Sequence, residues 1–375
     1  MSAARSQLKV ERAPAPLWAR PLVPVTAAVV TFILTAGLVL LAGANPLEAY
    51  YQFLIAPLSS RVSAIEVLVK ATPLLMCGAA VTFAFSAGYW NIGVEGQLYA
   101  GAIAAAWLGP LLEGVPPPLA ILIMMTGGFA AGMLWALAPA LLRVKLAIDE
   151  VVTTLLLNTV ILFVVSYLLN GPWRDPASGW PQSPTIASAA EFPKLLARSR
   201  LHLGFLISLL AIFVLWFVLT RTTFGLKMRA AGLGPEAARY AGINVGRTLL
   251  IAALVSGGIA GLAGVSEVAG IHFHLIDGIS PGYGYTGIII AMLGALHPLG
   301  VAAAALFISL ISTGSQTVSR ALGVPVYLGD VVEATLLLVT LAAFVLMNYR
   351  VKLVRARRAA PTPPDLAASE SNPDG

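Results

Sequence analysis

Ten apolar runs, most of them near twenty residues long, divide this chain from end to end, and few charges interrupt them. A bilayer core takes about 20 apolar residues per helix. The runs therefore predict spans at 22–43, 65–87, 93–112, 118–142, 150–169, 203–219, 248–270, 283–296, 299–317 and 330–348. Of the 375 residues, 58% are apolar and 11% are charged, where a soluble chain has roughly 25% charged. A soluble fold could bury so much apolar side chain only in several separate cores, and no hydrophilic linkers divide the chain that way. The expected class is an all-α polytopic membrane protein with about ten transmembrane helices, some broken. A secreted domain, a disordered chain and a nucleic-acid-binding protein are excluded. The run at 283–296 is too short to span untilted at ~1.5 Å per residue, so it reads as part of a broken helix. Residues 47–60 read as interfacial, with Tyr50, Tyr51 and Phe53 suited to the headgroup zone.

The formal charge of +6 is a matter of topology, because the basic residues lie between the apolar runs. Ten spans put both ends on one side. Sixteen of the 23 Lys and Arg then fall on that side and seven on the other. The positive-inside rule places the 16 and both termini in the cytoplasm. The expected organisation is a basic cytoplasmic N-terminus over 1–21, a transmembrane domain over 22–349 and a largely disordered cytoplasmic tail over 350–375. Arg5, Lys9, Arg12 and Arg20 precede a first run that lacks a small-residue cleavage site, which reads as a retained helix. Cys77, the single cysteine, lies inside an apolar run and reads as a small packing residue. Gly257, Gly261 and Gly264 recur at helical spacing in the seventh run and read as a packing face.

Two hydrophilic loops stand out. Residues 170–202 hold five prolines on the outer side and read either as a lid or docking surface or as a plain connector. Residues 221–247 lie inside. There Gly232 and Gly234 break the chain and Pro235 is placed to open a short helix, since a first-turn proline loses no intrahelical bond. Glu236 suits the positive end of that helix and Arg239 shares its face. Gly242 can supply a left-handed stop. An isolated helix over 235–241 is unstable in water, so it needs a partner surface.

From Phe85 the chain reads FSAGYWNIGVEGQLYAGA. Phe85, Ala87, Gly88, Trp90, Asn91, Ile92, Gly93, Glu95, Gly96 and Gln97 match, without departure, the F-x-A-G-x-W-N-I-G-x-E-G-Q pattern of the ATP-binding-cassette importer permeases for nucleosides and simple sugars. That branch belongs to a larger group with the ribose and branched-chain amino acid permeases. Residues 149–160, 168–176, 222–245 and 277–300 also resemble the family, and the likeness covers most of 45–345. Glu236-Ala237-Ala238 with Gly242 resembles the permease loop that inserts into the ATPase, without its Ile-x-Leu-Pro ending.

The resemblance implies a multi-pass permease of a bacterial cytoplasmic (inner) membrane. Its partners would be ABC ATPase subunits, a second related permease or a copy of itself, and a periplasmic or lipid-anchored substrate-binding protein. Nucleosides are the implied cargo, with a monosaccharide as the alternative. Coupling to the ATPase would fall to Gly225, Arg229, Gly232, Pro235, Glu236, Arg239 and Gly242. No cofactor, catalytic residue or metal is expected in this chain, since ATP and Mg would be bound by the partner. Independently, no Gly-Lys dipeptide occurs, so no P-loop is present. His272 and His274, two apart with no third ligand close by, make no metal site.

Charges near a helix centre cost about 2.5–3.5 kcal/mol on insertion scales, so buried ones need a reason. Asn91 and Glu95, four apart, would share a face if helical. Trp90, Asn91, Glu95, Gln97 and Asn158 are expected either to line the translocation path or to form the network that holds a helix break. Tyr283 and Tyr285 read as an interfacial belt or as stacking surfaces. Glu267 reads as lining the outer mouth or solvated at the interface. A proton-coupled transporter would draw on Glu95, Glu150 and Glu333, and an intramembrane hydrolase on Ser266 with His272 or His274.

Overall fold

The computed structural model describes residues 6–12, 22–175 and 179–355. The chain is built of helices: α1 Leu22–Leu41, α2 Pro46–Leu54, α3 Arg61–Ser86, α4 Val94–Leu108, α5 Pro117–Leu146, α6 Glu150–Asn170, α7 Leu203–Arg221, α8 Thr223–Leu233, α9 Pro235–Tyr240, α10 Val245–Glu267, α11 Tyr283–Leu293, α12 Pro298–Leu322 and α13 Leu328–Asn348. Each of the ten apolar runs contains a helix. Among the described residues, six are long and apolar enough to cross a bilayer: α3, α5, α6, α7, α12, and α10 with its continuation to His272. Val25–Leu41 and Pro46–Leu58, bent by 119°, make a seventh if counted as one span. The helices of the third and eighth runs are short, α4 with 15 residues and α11 with 11.

Each of these short helices starts after a non-helical stretch. Gly88 takes a left-handed φ of +81°, which ends α3 and turns the chain, and α4 begins only at Val94. Residues 276–282 end at Gly282, again left-handed at φ +97°, and lead into α11. The core of the bundle is α3, α4, α5 and α10. Gly261 lies so close to α5 that a Cβ there would come within 2.2 Å of the Gly128 carbonyl oxygen. The glycine face predicted in the seventh run is therefore a seam where two helix backbones meet. Cys77 is fully buried and packs against α11 at Gly287, in its predicted role. By contrast α6 buries one narrow stripe, Glu150, Thr154, Asn158, Ile161, Val165 and Leu169, and leaves its other faces open.

Several details depart from the sequence expectations. Phe53 is fully buried beside Gly314, and the Tyr50 hydroxyl donates to the Phe32 carbonyl at 2.5 Å. Of the three residues assigned to the headgroup zone, only Tyr51 stays exposed. The loop at 170–202 is laid along the bundle: Ser183 and Ile186 donate backbone N–H to Leu275 and Phe273, and Phe192 to Ala269. Near the two ends of the chain, Ser6–Arg12 pairs antiparallel with Tyr349–Arg355. Among the described residues this ribbon is the one pair of strands, beside the isolated bridges Gln182–Ile276 and Lys194–His202, and its second strand occupies the first residues of the predicted disordered tail. The rest of that tail, from 356, lies outside the described residues.

Candidate functional site

The break between α3 and α4 collects the polar residues of the motif. Asn91 and Gln97 exchange amide hydrogen bonds, Asn91 Nδ2 donating to Gln97 Oε1 at 2.9 Å and Gln97 Nε2 to Asn91 Oδ1 at 3.0 Å. Asn91 Nδ2 also donates to Ser256 Oγ on α10 at 2.9 Å, and Ser256 donates to the Ala80 carbonyl of α3 at 2.6 Å. Asn91, Gln97 and Ser256 are all buried. Unmade, each of these bonds would leave a buried polar group costing about 1–3 kcal/mol. The network therefore fixes the break to α3 and α10.

Asn91 and Glu95 do not share a helical face, because Asn91 precedes the helix. Glu95 turns instead to α11, where its Oε2 accepts the Gly284 N–H at 2.7 Å. The first N–H groups of a helix lack intrahelical partners, and the α11 cap residue Gly282 has no side chain to serve them. Ser280 accepts from Gly282 and Tyr283, and Glu95 of another helix serves Gly284. The close approach requires glycine, since a Cβ on Gly284 would lie 2.2 Å from the Glu95 nitrogen. Asn158 of α6 accepts from the Gly96 N–H at 2.9 Å and donates to the Ile92 carbonyl at 2.9 Å and the Tyr285 hydroxyl at 3.1 Å. Glu95 and Asn158 are 4% and 1% exposed. Both are taken up by backbone at the start of short helices, which favours the break-holding reading of these residues.

Trp90 differs from its neighbours in being half exposed, packed against Phe85 with ring centroids 4.6 Å apart. Its backbone N–H points at Glu150 Oε1 at 3.3 Å, and Glu150 pairs with Arg143 at 3.0 Å. Among the acids assigned to a proton path, Glu150 is thus paired with a cation and Glu95 caps a helix, while the Glu333 side chain lies outside the described residues.

The loop at 221–247 holds two helices, α8 and α9, where sequence reading expects one. Thr222 caps α8 by accepting the Gly225 N–H, and Gly225 packs against the Val218 carbonyl of α7. Pro235 opens α9, Glu236 and Arg239 stand 3.9 Å apart on its exposed face, and Gly242 follows with φ +81°. The point of contact with the break is Gly232: a Cβ there would meet the Ser86 carbonyl at 2.7 Å and the Gly88 nitrogen at 3.0 Å. A cavity of about 910 Å³ runs along this contact, lined by Trp90, Arg143, Arg229, Gly232, Pro235 and Arg239 among others. Arg229, Gly232, Pro235 and Arg239 of the loop thus share one groove with Trp90 of the break, while Asn91, Glu95, Gln97 and Asn158 do not line it.

Sequence reading missed Arg143, Ser256, Ser280 and Leu233. Arg143 pairs with Glu150 across a helix boundary and Ser256 bonds Asn91 and Ala80, 165 and 176 positions away, so neither has a local signal; Ser280 serves Gly282 and Tyr283, a local cap that its place before α11 could have shown. Leu233 and Tyr240 flank α9 and are 91% and 98% exposed, an apolar pair at the tip of a loop. Glu267 is not solvated at an interface: it is 4% exposed, 3.8 Å from His272. Ser266 is buried beside His202 and Gly204 with no hydrogen-bond partner, so the Ser266–His272 or His274 pair of a hydrolase does not form. No cluster of three metal-ligating side chains occurs among the described residues.

Residues 63–341 match the family described as BPD_transp_2, branched-chain amino acid transport system / permease component. The chain is 33% identical over 337 residues to the glucose ABC transporter permease protein TsgB13 of Haloferax volcanii, covering 87% of this chain and 88% of that protein. It is 32% identical over 295 residues to the guanosine ABC transporter permease protein NupP of Bacillus subtilis, covering 78% and 83%. It is 31% identical over 349 residues to the nucleoside ABC transporter permease protein NupB of Lactococcus lactis, covering 90% and 96%. With its helices, its polar break and its exposed loop in the regions so matched, the chain belongs to the branched-chain amino acid transport system / permease component family.

Proposed function

We propose that this permease component serves an ATP-driven importer of nucleosides in a bacterial cytoplasmic membrane, with ten spans and both termini inside. It is a transport subunit and not an enzyme. ATP hydrolysis falls to separate ATPase chains, which dock on α9, and substrate is delivered by a binding protein at the opposite end. A second permease, related or identical, completes the path.

The observation that carries the reading is the direct contact between the exposed coupling loop and the break in the bundle, at Gly232 and Gly88. A motor that moves α9 pulls on α8, and α8 rests on the segment that leads within seven residues to Glu95. The exposed Leu233 and Tyr240, with Glu236 and Arg239 between them, supply an apolar and charged surface suited to a protein groove. At the other end Arg61, Lys194 and Arg198 line a second cavity, beside Arg200 paired with Glu66, where an acidic face of a binding protein fits.

For the substrate, the similarity to the guanosine and nucleoside permeases supports a nucleoside, while the similarity to the glucose permease keeps a monosaccharide as the second reading. The test is reconstitution of the complex in proteoliposomes with its ATPase and binding protein. ATP-dependent uptake of radiolabelled guanosine, with no uptake of glucose, is expected. Uptake driven by a proton gradient without ATP, or glucose as sole cargo, would refute the reading.

A further inference from the structure

Helix α11 is too short to cross a bilayer. Its 11 residues rise about 16 Å, while the hydrocarbon core is about 30 Å thick. Its start is pinned to the start of α4 by Glu95, and Gly287 in its second turn packs on Cys77 in the interior of α3, so α11 begins inside the bilayer and the segment 273–282 fills the remaining depth without a helix. That segment leaves Asp277, Gly278 and Pro281 exposed. Non-helical backbone at this depth persists only where protein covers it or water lines it. The exposed side of 277–285 therefore faces water or a covering protein and not lipid tails.

Tyr285 stands in the first turn of α11 on that side and is 40% exposed. Its hydroxyl accepts the Asn158 Nδ2 hydrogen at 3.1 Å. Asn158 is itself fixed by Ile92 and Gly96, and as the ninth residue of α6 it lies about 12 Å along that helix. An interfacial belt would put the ring at the headgroups; this bond puts it well inside. A ring tethered at its polar tip keeps its π-face free and loses little further freedom when a ligand arrives. Tyr283, two residues earlier, is not among the exposed residues and offers no such face.

We propose that Tyr285 is the platform on which the flat base of a nucleoside stacks as it crosses mid-membrane, making this side chain a determinant of selectivity for heteroaromatic cargo over simple sugars. The inference rests on the nucleoside reading above. It predicts that removing the ring weakens transport of guanosine while leaving the motor and its docking intact, since Tyr285 touches neither α8 nor α9.

The test uses the reconstituted complex with Tyr285→Leu and Tyr285→Phe. Base stacking sets the scale: Tyr285→Leu should lower guanosine kcat/KM by roughly tenfold, with ATP hydrolysis still stimulated by the loaded binding protein. Tyr285→Phe keeps the ring and should retain most of the uptake. Guanosine uptake unchanged in Tyr285→Leu overturns the platform while the nucleoside reading stands, as does equal impairment of the Phe and Leu variants, which would mean the hydroxyl tether alone matters. Wild-type uptake of glucose and of no nucleoside overturns both. Tyr285→Cys gives an independent check in the assembled protein. A charged methanethiosulfonate reagent should label it and guanosine should slow the labelling; absence of labelling places the residue in lipid and overturns the proposal.

Discussion

Glu95 shows what a buried acid does when it has no ionic partner on its own helix. It caps α11 from α4, while the neighbouring Gly96 and Gln97 bond Asn158 and Asn91. Glu95→Gln keeps an acceptor oxygen for Gly284 but removes the charge that favours the positive helix start. The variant should express and insert normally and show reduced uptake. Full uptake with normal ATP coupling would exclude a role for the charge. His202 offers a second test at this scale. It ends the loop at 170–202, its Nδ1 accepts the Gly204 N–H at 3.1 Å, and burial pushes its pKa down to about 4. The unfolded chain protonates near 6.5, so between pH 6.5 and 4 it binds a proton that the folded state refuses. Stability from this group is complete above pH 6.5 and declines as the pH falls towards 4. Melting temperatures measured at pH 7 and 5 should separate more in the wild type than in His202→Asn, which keeps an acceptor but cannot titrate; equal separations would dismiss the effect.

Among the elements, α8 is the one that sequence periodicity concealed. The family resemblance puts Gly225, Arg229 and Gly232 in a loop expected to couple to the ATPase, and the helix they lie in rests on a Thr222 cap and a tight turn onto α7. Its function in the fold is contact: Gly232 sits against Ser86 and Gly88 with no room for a side chain. Gly232→Val forces backbone apart at a cost of about 1–3 kcal/mol. The protein should still assemble with its ATPase, but binding-protein-stimulated ATP hydrolysis should yield less uptake per ATP than in the wild type. An unchanged ratio would remove Gly232 from the transmission route. The paired change Glu236→Arg with Gly242→Trp acts one element earlier, at the docking surface, and should reduce stimulated ATP hydrolysis itself; normal coupling in that double variant contradicts the assigned role of α9.

At the scale of the whole molecule, the basic residues divide by the end of the bundle on which they lie. The groove with Arg143, Arg229 and Arg239 is at one end, and the cavity with Arg61, Lys194 and Arg198 at the other. Pairing of Ser6–Arg12 with Tyr349–Arg355 requires both chain ends on one side, which suits an even number of spans. Cysteines placed singly at Glu236 and at Ala197, in a Cys77→Ser background, should react with a membrane-impermeant maleimide from opposite faces, Glu236 only in inverted vesicles. Labelling of both from the same face would break the ten-span topology. Cys77, fully buried, should contribute no background even when retained.

The sequence by itself determined the helical runs, the break at the eighth, the short helix at Pro235 and the identity of the polar cluster, because these follow from local properties: apolar length, glycine and proline placement, and the rarity of charge. Only the tertiary structure decided who partners whom. Asn91 bonds Gln97 and Ser256 in place of sharing a face with Glu95, Glu95 serves Gly284 across 189 positions, and Glu150 is neutralised by Arg143. Buried polar groups take the nearest unmet donor or acceptor in space, and in a bundle of helices that neighbour lies on another helix, at a sequence distance no periodicity encodes.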